Sequence, residues 1–187
     1  MGRPRAIDDE QLAGRLATVF RSTGYDGASV SSLAESAGLR SASLYHRFPD
    51  GKVGMATAVL DDVERQFGEI LEPLGSDRDP ADGVREMARR VAVFFADGRL
   101  ACVLDSMSLG GAPADVKRRT ANLARGWIAA MALASVRSGA TEAEAARRGQ
   151  EALVRIEGAL VLARLLDDTS VFTDVLAELP DLLTAER

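Results

Sequence analysis

The chain is poor in the residues from which most catalytic and metal centres are built. Its 187 residues include one histidine, His46, and one cysteine, Cys102. A single histidine excludes a metal site made of several histidines and disfavours a histidine-driven catalytic triad. The apolar surroundings of the cysteine (LACVL) favour a packed core thiol over a redox sensor. No phosphate-binding glycine loop or metal-ligand spacing is found either, so we expect no enzyme activity, no metal and no cofactor.

Long apolar runs are missing as well. No apolar stretch follows the first residues, MGRPRAIDDE, and none reaches the roughly 18 residues that a membrane span needs. One cysteine excludes an internal disulfide and favours a reducing compartment. These absences predict a soluble cytoplasmic protein with no signal peptide and no membrane partner.

The charge is distributed unevenly along the chain. The formal net charge is −5, which argues against a protein that coats nucleic acid without specificity. Residues 1–52 carry seven Lys/Arg against six Asp/Glu, whereas the remaining residues carry 16 against 22. A mildly basic end on an acidic body suits a protein that docks on DNA with one end only.

Nearly every segment has helical spacing, and no stretch alternates as a strand would. The pattern predicts an all-α fold of about nine helices. The first is expected to end at Gly24, the eighth to begin with a capping box at Thr141, and the last to be kinked or ended by Pro180.

Residues 29–48, SVSSLAESAGLRSASLYHRF, have the pattern of two short helices joined by a glycine turn. Ser29 is placed to cap the first of them, and Gly38 to end it in the left-handed conformation. The apolar positions that would hold the pair together are Leu33, Ala34, Leu44 and Phe48. The other side of the second helix is small or polar, which leaves it slim enough for a groove. This is the helix-turn-helix pattern, which usually reads DNA.

The segment GLRSASLYHRF resembles the recognition helix of the TetR family of bacterial transcriptional repressors. FRSTGYDGASV before it and FPDGKVGMATAVL after it extend the resemblance over about the first 60 residues. LYHRFPDGK further resembles the LmrA/YxaF-like branch. The resemblance implies an N-terminal three-helix helix-turn-helix DNA-binding domain, residues 1–52, and a C-terminal helical ligand-binding and dimerisation domain, residues 53–187. Arg40 stands where the family often has a capping Ser, and Ala42 replaces the usual Gly, so the base preference is not inherited.

The resemblance also implies which side chains would contact DNA. Contacts to backbone phosphates are expected from Ser29, Tyr45, His46 and Lys52. The exposed start of the recognition helix would face the base edges with Arg40, Ser41, Ala42 and Ser43. A guanidinium can bind guanine O6 and N7 together, which favours Arg40 as a base contact, although a phosphate contact is equally open. Arg3 and Arg5 form an N-terminal arm that either contacts DNA or is a solvated tail.

Residues 158–166, GALVLARLL, are apolar on all sides apart from Arg164. A surface helix of a monomer needs one apolar face only, so a homodimer built from the last two helices is the economical explanation. A central helix in a larger bundle is the alternative. The resemblance favours the dimer, because TetR-like proteins dimerise through their last two helices. The expected interface comprises Gly158, Val161, Leu162, Leu165, Phe172, Val175, Leu176 and Leu179.

The resemblance further implies a pocket whose small-molecule effector changes the spacing of the two DNA-binding domains. Large apolar side chains would suit an apolar or aromatic ligand, although they are equally explained as core: Phe67, Phe94, Phe95, Met107, Trp127 and Met131. The leading hypothesis is a dimeric, ligand-responsive repressor of a palindromic operator. The alternatives are an activator, a regulator that senses a protein partner, a helical enzyme, and a structural dimer without a DNA role.

Overall fold

The structure is a computed structural model that describes residues 7–75 and 77–185. Over these residues the chain forms nine helices and no strand, which confirms the predicted all-α fold. The helices are α1 (Asp9–Gly27), α2 (Val30–Ala37), α3 (Ser41–Arg47), α4 (Lys52–Gly75), α5 (Pro80–Phe94), α6 (Val103–Ser108), α7 (Ala114–Arg137), α8 (Glu142–Leu166) and α9 (Ser170–Thr184).

Most helix ends follow local signals in the sequence. Asp8 caps α1 by accepting the backbone N–H of Gln11 at 2.7 Å, and Thr141 forms the predicted capping box at the start of α8. Gly24 interrupts α1 with φ 68° and ψ −178°. In contrast, α9 does not end at Pro180 but continues to Thr184. Pro180 lies in the buried part of α9, where packing stabilises a turn that lacks one backbone hydrogen bond.

The chain divides into two compact units. The first contains the described residues up to Arg65 together with Val103–Thr120, and the second contains Gln66–Cys102 and the described residues from Ala121 onward. Helices α4 and α7 therefore contribute residues to both units. The first unit includes more of the chain than residues 1–52, and a functional division at residue 52 stays a prediction.

The first unit is built on fully buried side chains from its helices. Leu16 and Phe20 of α1, Leu33 of α2 and Leu44 of α3 are all 0% exposed. Helix α6 packs on α1, where the Ser106 hydroxyl donates a hydrogen bond to the backbone oxygen of Arg21 at 3.2 Å. The predicted apolar side of the α2–α3 pair is thus buried as expected, except that Phe48 is only half-buried.

Aromatic rings form a continuous chain in the second unit. The ring centroids of Trp127 and Phe67 are 4.7 Å apart, those of Phe67 and Phe94 5.5 Å, and those of Phe94 and Phe95 4.8 Å. Phe172 extends the chain, with its centroid 6.1 Å from that of Phe95. Edge-on contacts of this kind stabilise a core beyond the area that they bury.

Among the described residues, no helix combines the length and apolarity that a membrane span requires.

Candidate nucleic-acid interface

Helix α2 is fixed at both of its ends. The Ser29 hydroxyl accepts the backbone N–H of Ser32 at 3.0 Å, and the Ser32 hydroxyl accepts the N–H of Ser29 at 3.1 Å. Gly38 ends the helix in the left-handed conformation, with φ 67°. The guanidinium of Arg15 on α1 donates to the backbone oxygen of Ala37 at 3.0 Å. These bonds hold α2 in a set position against α1 and leave α3 to begin three residues after the turn.

Helix α3 has one buried residue and a broad exposed face. Leu44 is 0% exposed and anchors the helix in the first unit. The remaining residues of the helix are exposed: Ser41, Ala42, Ser43, Tyr45, His46 and Arg47. An α-helix with short polar side chains on its outer face fits the DNA major groove, which is about 12 Å wide.

Arg40 precedes α3 as its N-cap residue and gives the helix no side-chain cap. Its side chain is exposed and makes no hydrogen bond or ion pair within the described part of the chain. The departure from a capping serine therefore leaves a guanidinium free at the start of the exposed face. A free guanidinium can bind two acceptors on one guanine or on a phosphate.

Tyr45 and Lys52 are placed by contacts with their neighbours. Tyr45 is 50% exposed, and its ring lies over Gly51, where a Cβ atom would come within 3.4 Å of Cε1. The ammonium of Lys52 donates to the backbone oxygen of Tyr25 at 2.9 Å. It also lies 4.5 Å from the centre of the Tyr25 ring. Two further N–H groups of that ammonium are left for other acceptors.

Tyr25 itself is a buried part of this arrangement, and the sequence pattern did not predict it. Its ring is 6% exposed and stacks on Phe20, with centroids 6.1 Å apart. Burial raises the pKa of the Tyr25 phenol, and the nearby charge of Asp26 raises it further. The signal that could have revealed it is an aromatic residue placed directly after Gly24, the glycine that interrupts α1.

Two other polar contacts of the first unit join residues that are far apart in the sequence. Arg47, at the end of α3, forms an ion pair with Asp9 and donates to the backbone oxygen of Ile7 at 3.1 Å. Asp26 accepts the backbone N–H of Gly111 at 2.6 Å. Because Arg47 and Asp9 are 38 residues apart, and Asp26 and Gly111 85, no local pattern could have predicted these contacts.

Arg3 and Arg5 lie outside the described residues.

Of the predicted pocket residues, Phe67, Phe94, Phe95, Trp127 and Met131 belong to the second unit, whereas Met107 belongs to the first. Phe94 also lines a hollow of about 320 Å³ on the second unit, beside Ile70 and Val93. The indole N–H of Trp127 is buried and has no hydrogen-bond acceptor. A buried donor without a partner carries a desolvation cost.

The predicted dimer residues divide by their exposure. Val161, Leu162 and Leu165 are 42%, 46% and 73% exposed, and Gly158 is exposed as well. Phe172, Leu176 and Leu179 are at most 5% exposed, so in the single chain they have almost no surface to offer a partner. Val175 is half-buried.

No group of three or more His, Cys, Asp or Glu side chains in the described ranges could hold a metal ion. The first unit therefore presents one exposed helix, α3, and the unpaired guanidinium of Arg40, both held by a buried helical core. This arrangement suits a binding surface.

Comparison with known proteins supports this interpretation. A family model described as "Bacterial regulatory proteins, tetR family" matches residues 16–59, which span α2 and α3. The transcriptional regulator LmrA of Bacillus subtilis is 20% identical over 184 residues, covering 93% of this chain and 95% of LmrA. A helix-turn-helix transcriptional regulator is therefore similar to this chain over almost its whole length.

Solved structures share the complete fold. A TetR transcriptional regulator from Legionella pneumophila has a TM-score of 0.82 at 16% identity, covering 97% of this chain and 100% of that one. A cysteine mutant of the TetR-family regulator CifR, in complex with 26-base-pair double-stranded operator DNA, has a TM-score of 0.75 at 23% identity, covering 100% of both chains. Residues 16–59 thus match the tetR family model, and the chain is similar along almost its whole length to transcriptional regulators with the TetR fold.

Proposed function

We propose that the chain is a ligand-responsive repressor that binds a palindromic operator as a homodimer in the cytoplasm and is released by a small apolar or aromatic effector. The observation that carries this proposal is the exposed face of α3, held by the buried Leu44 and preceded by the free guanidinium of Arg40. The complex of CifR with double-stranded operator DNA supports the same use of the same fold.

The proposed DNA contacts divide into positioning and recognition. Ser29, Tyr45, His46 and Lys52 would bind phosphates and so set the position of α3 on the duplex. Arg40, Ser41, Ala42 and Ser43 would face the base edges. Residues 1–52 are proposed to act as the DNA-binding domain, and Arg3 and Arg5 to reach the DNA from its N-terminal arm.

The proposed homodimer rests on the unpartnered apolar face of α8. Leu165 and Leu166 are 73% and 63% exposed, and Val161 and Leu162 lie on the same helix. Several large apolar side chains left in water on one helix favour association with a second copy. We keep Gly158 and Val175 in the proposed interface, with the buried Phe172, Leu176 and Leu179 supporting it from beneath. A two-fold symmetric dimer would place two α3 helices on half-sites about 34 Å apart, which makes the operator palindromic.

The effector is proposed to bind residues 53–187, next to the aromatic chain of the second unit. An apolar or aromatic molecule suits Phe67, Phe94 and Trp127, and an acceptor on that molecule would satisfy the buried indole N–H. Phe95, Met107 and Met131 are also proposed as pocket residues for the effector. Release from DNA requires that the effector bind more tightly to the conformation that does not fit the operator.

The experiment begins with selection of DNA from fragmented genomic DNA by the purified chain. The enriched site is then placed over a promoter for transcription in vitro. Repression predicts less transcript as protein is added, and an activator would produce more. Aromatic compounds are then screened for restored transcription and for a change in the emission of Trp127, the only tryptophan of the chain. Enrichment of no sequence under any condition would contradict the proposal.

A further inference from the structure

The junction between α1 and α2 carries a contact that the proposed DNA contacts do not use. Asp26 Oδ2 accepts the backbone N–H of Gly111 at 2.6 Å. Asp26 lies between the break in α1 at Gly24 and the cap of α2 at Ser29. Gly111 lies in the turn that joins α6 to α7. The Asp26–Gly111 contact therefore ties a distant turn to the segment that leads into the helix-turn-helix.

The turn between α6 and α7 is shaped around the Asp26 carboxylate. A Cβ atom on Gly111 would lie 2.9 Å from Asp26 Oδ1, closer than real side chains approach, and one on Gly110 would collide with Oδ2. Gly110 also has φ 63°, a conformation that favours glycine. Lys117 closes the turn by donating to the backbone oxygen of Gly110 at 2.7 Å. The two glycines thus make room for one carboxylate.

A second element holds the same junction one residue earlier. Lys52, at the start of α4, donates to the backbone oxygen of Tyr25, the residue before Asp26. Consecutive residues are thereby fixed by α4 and by the turn after α6. The segment from Gly24 to Ser29 is thus hydrogen-bonded both to α4 and to the turn between α6 and α7.

The path of the chain gives this contact its significance. Residues Val103–Thr120 belong to the first unit, although the residues on both sides of them belong to the second. The turn at Gly110 and Gly111 is thus a part of residues 53–187 that is bonded to the segment leading into α2. A displacement of this turn would reach that segment through the hydrogen bond to Asp26.

The charge of Asp26 allows two opposite predictions for the DNA affinity of a variant that lacks it. The carboxylate is exposed and stands three residues from Ser29, a proposed phosphate contact. A negative charge near DNA repels phosphates, so charge alone predicts tighter binding when Asp26 is removed. A positioning role predicts the opposite, because the junction then loses its bond to Gly111.

We propose that Asp26 is a positioning residue for DNA binding, which fixes the entry to α2 by accepting the Gly111 N–H. This inference rests on the proposed use of Ser29 and α3 as the DNA surface. It assigns Asp26, Gly110 and Gly111 a role in DNA affinity although none of them is among the proposed DNA contacts.

The test measures the affinity for the selected operator, over a salt series, of Asp26→Ala, Asp26→Asn and Gly111→Ala. Asp26→Ala must order the junction when it binds DNA, and a cost comparable to one hydrogen bond to a carboxylate corresponds to about tenfold weaker binding. Asp26→Asn keeps an acceptor oxygen and is expected to recover most of that loss. Gly111→Ala displaces the carboxylate from the opposite side and is expected to weaken binding as well. In the Asp26→Ala background Gly111→Ala should have no further effect, since no carboxylate is left to displace.

Glu35→Ala is the matched control. Glu35 is an exposed acid on α2 that forms no ion pair in the described residues, and its removal is expected to leave affinity unchanged or tighter. Circular dichroism and thermal midpoints check each fold. The slope against salt reports the number of phosphates that the protein binds, which a smaller folded fraction does not change. If Asp26→Ala fails to fold, Asp26→Asn and Gly111→Ala decide the question.

Unchanged or tighter binding by folded Asp26→Ala would overturn the positioning role while leaving the DNA-binding surface intact. Additive losses in the Asp26→Ala, Gly111→Ala double variant would overturn it as well. A wild-type chain that selects no DNA would instead overturn the proposed function, and this inference with it.

Discussion

The ammonium of Lys52 is bonded to the backbone oxygen of Tyr25 at 2.9 Å and lies 4.5 Å from the centre of the Tyr25 ring. Tyr25 is buried against Phe20, so the position of this cation is set by the core of the first unit. A lysine side chain loses up to about 2 kcal/mol of conformational entropy when it is immobilised. Part of that loss has already occurred before DNA arrives, which favours Lys52 as a phosphate contact.

Lys52→Met is expected to weaken operator binding about tenfold and to lower the slope of log affinity against log salt by about 0.9 for each phosphate that the variant no longer binds. The apolar stem of methionine keeps the packing on Tyr25. Fluorescence anisotropy with labelled operator, at four or more salt concentrations, measures both quantities. Arg85→Met, which removes an exposed cation from α5, is the control. An unchanged slope for Lys52→Met would exclude Lys52 from the DNA surface.

Charged residues on the exposed face of α8 are expected to separate the proposed dimer. The double change Leu162→Glu, Leu165→Glu should raise the dissociation constant of the dimer at least about a hundredfold, because it buries charge without partners. Sedimentation equilibrium over a concentration series measures this. Val93→Glu places the same charge at an apolar side chain that is 71% exposed on α5 and should leave the dimer intact. A monomeric wild type, or an equal effect of Val93→Glu, would contradict the assignment of this face.

Gly98 and Phe172 provide a stability test within the second unit. A Cβ atom on Gly98 would lie 2.9 Å from the Cβ of Phe172, and Gly98 has φ 91°. Gly98→Ala is therefore expected to lower the free energy of unfolding by about 2–4 kcal/mol, from backbone strain and overpacking together. Gly139 has φ 90° with open space around it, so Gly139→Ala should cost only the strain, about 1 kcal/mol. If urea titrations show equal losses of unfolding free energy for the two variants, the structure must accommodate the contact with Phe172 at no cost.

Acid stability is expected to depend on Glu86. Hydrogen bonds from Arg89 and then Arg90 lower the pKa of the Glu86 carboxyl to about 2. Because this pKa is depressed in the folded chain, its stabilising contribution is present above the unfolded pKa of about 4.3 and is lost as the pH falls towards 2. The difference in thermal midpoint between the wild type and Glu86→Gln should therefore shrink between pH 5 and pH 3. Glu35→Gln, which removes a carboxylate without an arginine partner, is the control. A constant difference would contradict the depressed pKa.

The sequence predicted those features that depend on neighbouring residues. Ser29, Gly38 and Thr141 mark helix ends through bonds that span three or four residues, and each end lies where it was expected. The exposed face of α3 was equally predictable, because the spacing of Leu44 and Phe48 fixes which side of the helix is buried.

The features that the sequence could not predict depend on distant pairs. Asp26 and Gly111 meet across 85 residues, and neither position has a local pattern that announces the contact. The apolar character of Phe172, Leu176 and Leu179 suited both a dimer interface and a core. Only the packing of α9 shows that they are buried within the chain itself. The periodic spacing of apolar residues indicates that one face of a helix is buried, but it does not indicate which element covers that face.

The most direct test of the central claim is a parallel DNA selection with the wild type and with the folded double variant Arg40→Ala, Tyr45→Ala. Both side chains are exposed, so the fold is expected to survive their loss. The account predicts that the wild type enriches one palindromic sequence, with an affinity that falls steeply with salt, and that the variant enriches none. Enrichment of the same sequence by both proteins with equal affinity would contradict the assignment of α3 as the surface that reads DNA.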